Sequence, residues 1–212
     1  MLLNTIEQQC ETFLKSLRQA DSAHDLAHIK RVVANAKTLL KNEPADQEVV
    51  ISAAWLHDCV VLPKNHPERK SASKLAADKA VTFLKSTEFP KSKLDQVHHA
   101  ILAHSYSADI EPESLEAKIV QDADRIDALG AIGIARSFVV GGQLNRALYN
   151  SDDPFCESRD PDDLAWTIDH FYTKLFNLPG LMNTKAGKEL ATSRVAYMKG
   201  FLSQLRSEII KQ

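Results

Sequence analysis

The chain has 212 residues, of which 44% are hydrophobic and 25% charged, and its formal net charge is −2. This composition is ordinary for a globular protein, and the near-neutral charge without blocks of like charge argues against a nucleic-acid-binding module. No apolar run approaches ~20 residues, so no membrane span is predicted. The three cysteines are scattered and odd in number. They suit a reducing compartment better than a disulfide framework, and we expect a cytoplasmic protein.

Hydrophobic periodicity predicts helices along most of the first two thirds of the chain. The second of these helices is expected to follow a capping arrangement at Ser22 and Asp25 and to end at Glu43–Pro44. The other predicted helices cover about residues 2–19, 47–57, 68–84, 93–104 and 114–140. Gly130 and Gly133 fall inside the last of these and indicate either close packing or a break in the helix.

A long polar segment over residues 141–163 interrupts this helical pattern with two glycines, two prolines and five aspartates. Loops of that length inside a compact domain are usually functional or mobile, and we hypothesise that this one closes over a ligand. Helices are predicted again over residues 164–176 and 185–210. The pattern as a whole predicts a single all-α domain over residues 1–212.

The stretch AAWLHDCVV places His57 and Asp58 side by side among apolar residues. An isolated buried carboxylate costs much free energy, so it normally shifts its pKa, pairs with a cation or binds a metal. Cys59 follows this pair and is expected to be a small buried apolar residue rather than a nucleophile or a ligand. The His-Asp pair is therefore the first candidate for a functional site.

His28 lies on a predicted helix face that it shares with His24, Arg31 and Asn35, at steps of four, three and four residues. This face borders the apolar stripe of the helix, so we expect the His28 side chain to point inward. Taken alone, a histidine in such a position is more often a hydrogen-bonded core residue than a metal ligand.

Two carboxylates, Asp124 and Asp127, are three residues apart and share a predicted helix face with apolar residues. Carboxylates on a buried face either pair with a positive group, here Arg125, Arg136 or the N-terminus of another helix, or coordinate a metal. Both explanations stay open. An inward imidazole, the His-Asp pair and one of these aspartates would together supply two nitrogens and two oxygens. That mixture suits a divalent ion of the manganese, iron, cobalt or magnesium type.

The order of His28, His57–Asp58 and Asp124 resembles that of the HD-domain superfamily of metal-dependent phosphohydrolases. Five segments look like successive motifs of a bacterial HD subfamily of nucleotide pyrophosphohydrolases: SAHDLAHIKRVVANA, AAWLHDCV, PKNHPERKSAS, AILAHSYS and DADRIDALGAIGIAR. The stretch HFYTKLFNLPGLMNTKAGKELA is also similar, with lower specificity. The resemblance implies an HD-domain helical bundle over about residues 20–136, with additional C-terminal helices over about residues 160–212.

The resemblance also implies a ligand set and a reaction. The implied ligands of one divalent ion are His28, His57, Asp58 and Asp124, with Asp127 as the alternative to Asp124. The expected ion is Mn2+, with Mg2+, Co2+, Fe2+ and Ni2+ as alternatives. The implied reaction is hydrolysis of nucleoside or deoxynucleoside triphosphates to the monophosphate and pyrophosphate. A phosphomonoesterase or cyclic-nucleotide phosphodiesterase with the same site, and a non-catalytic nucleotide-sensing metal-binding module, are the alternatives.

The remaining expectations concern proton transfer and phosphate binding. Asp58 is expected to orient the attacking water as well as to ligate the ion, and His24 and His104 are candidates for proton transfer. Four side chains are expected to contact substrate phosphates: Arg31, Lys64, His66 and Arg69. The alternative for each histidine is a purely structural role, as a side chain that is hydrogen-bonded inside the helical bundle. The alternative for each cationic side chain is a solvated charge on the surface. The expected partner is a small-molecule nucleotide, with no nucleic acid and no membrane.

Overall fold

The fold is all-α, as the sequence predicts. A computed structural model of the chain describes residues 2–17, 26–62, 66, 68, 71–105 and 108–210, and these residues form helices and loops without a β-strand. None of the helices in these ranges is long and apolar enough to cross a membrane. The chain divides into two compact units, Met1–Asp124 and Arg125–Gln212. The single domain over residues 1–212 stays a prediction.

The first unit is a bundle of helices that lie close to the predicted positions. They are α1 (Leu2–Ser16), α2 (Leu26–Leu39), α3 (Gln47–Leu56), α4 (Ala72–Lys85), α5 (Leu94–Leu102) and most of α6 (Leu115–Asp127), whose residues up to Asp124 belong to this unit. A 3-10 turn at Lys91–Lys93 precedes α5. α6 begins after Ser114, whose hydroxyl accepts the N–H of Ala117 at 3.1 Å. The cap expected at Ser22 and Asp25 lies outside the described residues.

Helix α3 lies in the interior of the first unit. Every side chain from Val49 to Leu56 is buried, because this run is apolar except for Ser52 and has no polar face for water. The helices α1, α2, α4 and α5 pack against it. α3 therefore carries His57, which follows it, into the interior of the bundle and leaves Asp58 partly exposed beside it.

Polar contacts hold α3 at both ends. Asp46 caps its N-terminus by accepting the N–H of Glu48 at 3.0 Å, and the Lys93 ammonium lies 2.6 Å from Asp46 and 2.7 Å from Glu48. Near the C-terminus, the Trp55 indole N–H donates to Glu7 of α1 at 3.0 Å. These contacts fix the helix whose last turn leads into the His-Asp pair.

The helix predicted over residues 114–140 is broken within the second unit, between Asp127 and Gly130. Gly130 has a φ of 74°, which glycine adopts readily, and α7 (Gly130–Gln143) starts there. A Cβ atom on Gly133 would lie 2.1 Å from the carbonyl oxygen of Ala128, so the two segments meet closely. Both expectations for these glycines, a break and close packing, are confirmed.

The rest of the second unit contains α8 (Asp169–Thr173), a 3-10 segment at Leu175–Leu181 and α9 (Lys185–Ile209). The helix predicted over residues 164–176 is wrong in its first part. The N–H of Ala147 donates to Ala165, and the N–H of Thr167 donates to Ala147 at 2.9 Å. Because these backbone groups pair with Ala147, they are not available for a helix.

The polar segment over residues 141–163 is held by hydrogen bonds within it and by an ion pair to α8. The Asp153 carboxylate accepts the N–H of Glu157 at 2.9 Å and that of Ser158 at 2.7 Å. Arg159 makes two hydrogen bonds to the buried carboxylate of Asp169, one of them at 2.8 Å. Closure of this segment over a ligand stays a prediction.

Candidate metal centre

The first group of the site is the imidazole of His28, in the first turn of α2. Its side chain is only 2% exposed, which confirms the inward orientation expected from the helical pattern. Nε2 of His28 lies 3.8 Å from Oδ2 of Asp58 and 3.5 Å from Oδ1 of Asp124. α2 thus brings an imidazole nitrogen to two carboxylates from distant parts of the first unit.

The second imidazole belongs to His57, which ends α3 and is completely buried. Its Nδ1 lies 2.8 Å from the carbonyl oxygen of Ala54. A carbonyl can only accept a hydrogen bond, so Nδ1 carries the proton and Nε2 presents a lone pair. Among the residues that the structure describes, Nε2 of His57 has no hydrogen-bond partner. An orphaned buried lone pair with this orientation is what a metal ligand requires.

The carboxylates of Asp58 and Asp124 complete the cluster. Nε2 of His57 lies 3.6 Å from Oδ2 of Asp58 and 3.9 Å from Oδ1 of Asp124. One ligand atom each from His28, His57 and Asp58 lies within 4.8 Å of the others. Bonds of about 2.1 Å to one ion place its ligand atoms roughly 3 to 4.2 Å apart. The donor set and its spacing therefore fit a divalent cation.

Burial sets the charge state of His57. It lowers the pKa of His57 below the ordinary value of 6.5, against the opposing effect of the Asp58 carboxylate. The imidazole is therefore neutral at neutral pH, which is the form that can ligate a metal. The carboxylates of Asp58 and Asp124 beside it offer the oxygen ligands that a hard divalent cation prefers.

The structure also brings His104 to this cluster. Its Nε2 lies 3.5 Å from Oδ1 of Asp58, and Nδ1 lies 2.6 Å from the carbonyl oxygen of Ile101. Burial acts to lower the pKa of His104, but the hydrogen bond to Asp58 and the charges of Asp58 and Asp124 outweigh it and raise the pKa above 6.5. His104 is therefore placed where it can exchange a proton with Asp58.

Asp127, the alternative to Asp124, has a different environment. It is buried, and its Oδ2 lies 2.6 Å from Nη1 of Arg136. Pairing with an arginine, which the sequence left open for both aspartates, is thus observed for Asp127. Asp124 is the aspartate whose carboxylate lies near the two imidazoles.

The other predicted site residues are only partly described. Arg31 is half-buried on α2, and His66 accepts the N–H of Glu68 through Nδ1 at 3.1 Å. Three of the predicted residues lie outside the described ranges: His24, Lys64 and Arg69. The roles expected of all five in phosphate binding or proton transfer stay predictions.

Two buried amide side chains, to which the sequence pattern assigns no role, bond to peptides next to candidate site residues. Asn35 donates to the carbonyl oxygen of Ala123, and Gln121 donates to that of Ala103. The only sequence signal was the position of Asn35 on the same helix face as His28, seven residues further along. Nothing in the sequence pattern indicated Gln121.

Comparison with known proteins identifies relatives over nearly the whole chain. Residues 25–129 match a family model described as HD domain. The chain is 34% identical over 207 residues to YpgQ of Bacillus subtilis (strain 168), described as an uncharacterized protein. That alignment covers 95% of this chain and 93% of YpgQ.

Solved structures of relatives share the fold. The crystal structure of Bacillus subtilis YpgQ in complex with ADP has a TM-score of 0.75 and 32% identity, covering 100% of this chain and 98% of that one. A crystal structure of an HD-superfamily hydrolase from Bacillus thuringiensis has a TM-score of 0.75 and 35% identity, with coverages of 99% and 98%. The chain therefore belongs to the HD-domain superfamily, a class of metal-dependent phosphohydrolases whose domains bind divalent ions.

Proposed function

We propose that this chain hydrolyses nucleoside or deoxynucleoside triphosphates to the nucleoside monophosphate and pyrophosphate. The proposed ligands of its single divalent ion are His28, His57, Asp58 and Asp124. The observation that carries the proposal is the convergence of buried imidazole nitrogens and carboxylate oxygens from α2, the end of α3 and α6. Mn2+ is the proposed ion, since mixed imidazole and carboxylate ligands suit it.

The ion, when bound, supplies Lewis acidity that lowers the pKa of a water and neutralises phosphate charge. The protein side chains supply orientation and proton transfer. Oδ2 of Asp58 faces His57 at 3.6 Å, whereas Oδ1 faces His104 at 3.5 Å. Asp58 thus has one oxygen towards the ligand cluster and one towards a proton carrier. This arrangement suits a carboxylate that both ligates the ion and accepts a proton.

The proposed reaction is an in-line displacement at the α-phosphorus. The oxygen of a water forms a bond to that phosphorus, and the bond from it to the oxygen bridging to the β-phosphate breaks. Pyrophosphate leaves with the electron pair of the broken bond. The proton released by the water passes to Asp58, and His104 hydrogen-bonds the carboxylate that receives it.

The choice of a nucleotide substrate is supported by the relative whose crystal structure is described as a complex with ADP. The structural match to that protein covers 100% of this chain and 98% of the relative. An ADP-binding relative makes a nucleoside polyphosphate the first substrate class to test here. Comparing turnover of nucleotides that differ in base, sugar and number of phosphates then identifies the preferred substrate.

The proposed location is the cytoplasm. All three cysteines are free, Cys10 and Cys59 in the buried part of the fold and Cys156 partly exposed. Burial raises the pKa of Cys10 and of Cys59 to about 12, so neither thiol is a reactive thiolate. Free thiols are typical of a reducing compartment.

The experiment that tests the function is product analysis by 31P NMR with the full chain, stripped of metal and then supplied with Mn2+. The substrates are nucleoside and deoxynucleoside triphosphates, nucleoside monophosphates and cyclic nucleotides. We expect pyrophosphate and a monophosphate from triphosphates, only after Mn2+ is added. The Asp58→Asn variant serves as the inactive control, and Asp95→Asn, on the exposed face of α5, as the control for loss of one negative charge.

The products separate the alternatives. Free phosphate from monophosphates would make the protein a phosphomonoesterase, and a monophosphate from cyclic nucleotides would make it a phosphodiesterase. Mn2+ binding without turnover of any substrate would move the protein to the class of nucleotide-sensing modules. Each of these three results would contradict the proposed reaction.

A further inference from the structure

We infer that Asn35 and Gln121 are positioning residues of the metal centre. They hold the peptide groups that immediately precede Asp124 and His104 in the chain. This inference rests on the proposed function, because it assigns the two amides to the same site. Neither residue is a candidate ligand. Each donates to the carbonyl oxygen of the residue that directly precedes a site residue, Ala123 in one case and Ala103 in the other.

The contact of Asn35 joins the helix of one proposed ligand to the helix of another. Nδ2 of Asn35 donates to the carbonyl oxygen of Ala123 at 3.1 Å, across 88 residues of chain. The side chain is only 6% exposed. Asn35 lies two turns after His28 on α2, and the peptide it holds leads directly into Asp124 on α6. The hydrogen bond therefore fixes the distance between His28 and Asp124, whose Nε2 and Oδ1 atoms lie 3.5 Å apart.

The contact of Gln121 concerns the peptide that precedes His104. Nε2 of Gln121 donates to the carbonyl oxygen of Ala103 at 2.8 Å, and the side chain is 4% exposed. Ala103 follows the last residue of α5, where carbonyl oxygens have no partner within the helix. Gln121 supplies that partner, and the peptide it holds leads into His104.

The two amides are expected to affect different properties. Asn35 acts on Asp124, which is a proposed ligand, so its loss should weaken metal binding. Gln121 acts on His104, which faces Asp58 but is outside the proposed ligand set, so its loss should lower kcat more than metal affinity. Loss of an outer-shell hydrogen bond at a metal site typically costs 10–100-fold in metal affinity or activity. We expect effects of that order here, although each amide bonds the peptide that precedes the site residue and not its side chain.

The test uses the full chain with Mn2+ alone as the probe and calorimetric titration as the readout, followed by kinetics with the triphosphate that the wild type turns over. The variants are Asn35→Leu and Gln121→Met, which remove the amide but keep the approximate volume. Asn35→Asp and Gln121→Glu are a second pair of variants with nearly the same shape as the wild-type side chains. An ionised carboxylate cannot donate the hydrogen bond. These variants replace the apolar ones if the latter do not fold. Thr184→Val removes a buried hydroxyl that caps α9 and controls for a general loss of stability.

We expect Asn35→Leu to bind Mn2+ about 10–100-fold more weakly than the wild type. Gln121→Met should keep Mn2+ affinity within about 3-fold and lose about 10-fold or more in kcat at unchanged KM. Thr184→Val should lower the melting temperature and leave both properties intact. Wild-type Mn2+ affinity in Asn35→Leu and Asn35→Asp, or wild-type kcat in Gln121→Met and Gln121→Glu, would overturn the inference. If the wild type itself binds no Mn2+, the proposed function fails first, and the inference falls with it.

Discussion

Nδ1 of His57 donates a hydrogen bond to the carbonyl oxygen of Ala54, 2.8 Å away in the last turn of the same helix. This single contact determines which nitrogen of the ring carries the proton, and it turns the Nε2 lone pair towards Asp58 and Asp124. The backbone of the protein thereby fixes the orientation of the imidazole. A site whose ligands are already oriented loses little conformational freedom on binding.

The first prediction concerns the carboxylate beside His57. Replacing Asp58 by Asn removes a negative charge and a ligand oxygen, so Mn2+ affinity should fall by more than the ~10–100-fold that loss of an outer partner produces. Far-ultraviolet circular dichroism should show unchanged helix content, because Asp58 follows α3 and lies outside any helix. Calorimetric titration measures the affinity. Asp95→Asn is the matched control, and equal affinities in the two variants would argue against Asp58 as a ligand.

The second prediction concerns stability with and without the ion. A ligand that binds only the folded state at 100 times its Kd adds about 2.7 kcal/mol to the free energy of unfolding. In a protein of this size, each kcal/mol corresponds to roughly 2–4 °C in Tm, so saturating Mn2+ should raise Tm by about 5–11 °C. Differential scanning calorimetry before and after chelation measures this shift. An identical Tm in both samples would mean that the four proposed ligands bind no ion and only pair with one another.

The third prediction concerns two glycines of the same helix. A Cβ on Gly133 would meet the backbone carbonyl oxygen of Ala128 at 2.1 Å, whereas one on Gly142 would meet nothing within 4 Å. Gly133→Ala should therefore destabilise the protein by at least about 1–3 kcal/mol through overpacking. Gly142→Ala should stabilise it by about 0.4–1 kcal/mol, because alanine loses less conformational entropy on folding. Urea unfolding compares the two, and equal effects would contradict the close approach of Ala128.

The fourth prediction concerns acid stability. Hydrogen bonds from the N–H groups of Glu157 and Ser158 hold the pKa of Asp153 well below its ordinary value of 3.8. Since the folded-state pKa lies below the unfolded one, the ionised carboxylate stabilises the fold fully above about pH 5 and progressively less as the pH falls towards the folded-state pKa. Asp153→Asn should therefore be less stable than the wild type at neutral pH, and the difference should shrink below about pH 4.

Unfolding in urea at a series of pH values measures this difference. Asp152→Asn is the control, because the residue is the exposed neighbour of Asp153 and its replacement changes the net charge equally. It should track the wild type at every pH. A stability loss in Asp153→Asn that is constant down to pH 3 would contradict the account, since it would not depend on ionisation.

The sequence could predict the central pair of the site because its signal is local. A histidine and an aspartate in a run of apolar residues are expected to be buried and compensated. His57 is completely buried at the end of a buried helix, and Asp58 beside it is only 17% exposed. The inward orientation of His28 follows equally from the helical period. Both inferences use only the residues within one or two helical turns of the position in question.

The features that the sequence could not predict depend on contacts between distant segments. The helix over residues 164–176 is shortened because the backbone of Ala165 and Thr167 pairs with Ala147, nearly twenty residues earlier. The bond of Asn35 to the Ala123 carbonyl spans 88 residues. A hydrophobic pattern contains the period of one element and no information about such partners.

The most direct test of the central claim is Mn2+ binding to three proteins: the wild type, Asp124→Asn and Asp127→Asn. Both variants remove one negative charge from α6, but only the Asp124 carboxylate lies near Nε2 of His28, whereas Asp127 pairs with Arg136. Calorimetric titration, at a temperature where all three are folded, gives stoichiometry and affinity. We predict one ion per chain in the wild type and in Asp127→Asn, and a loss of at least about 100-fold in affinity in Asp124→Asn. Wild-type affinity in Asp124→Asn, with binding lost in Asp127→Asn, would contradict the proposed ligand set.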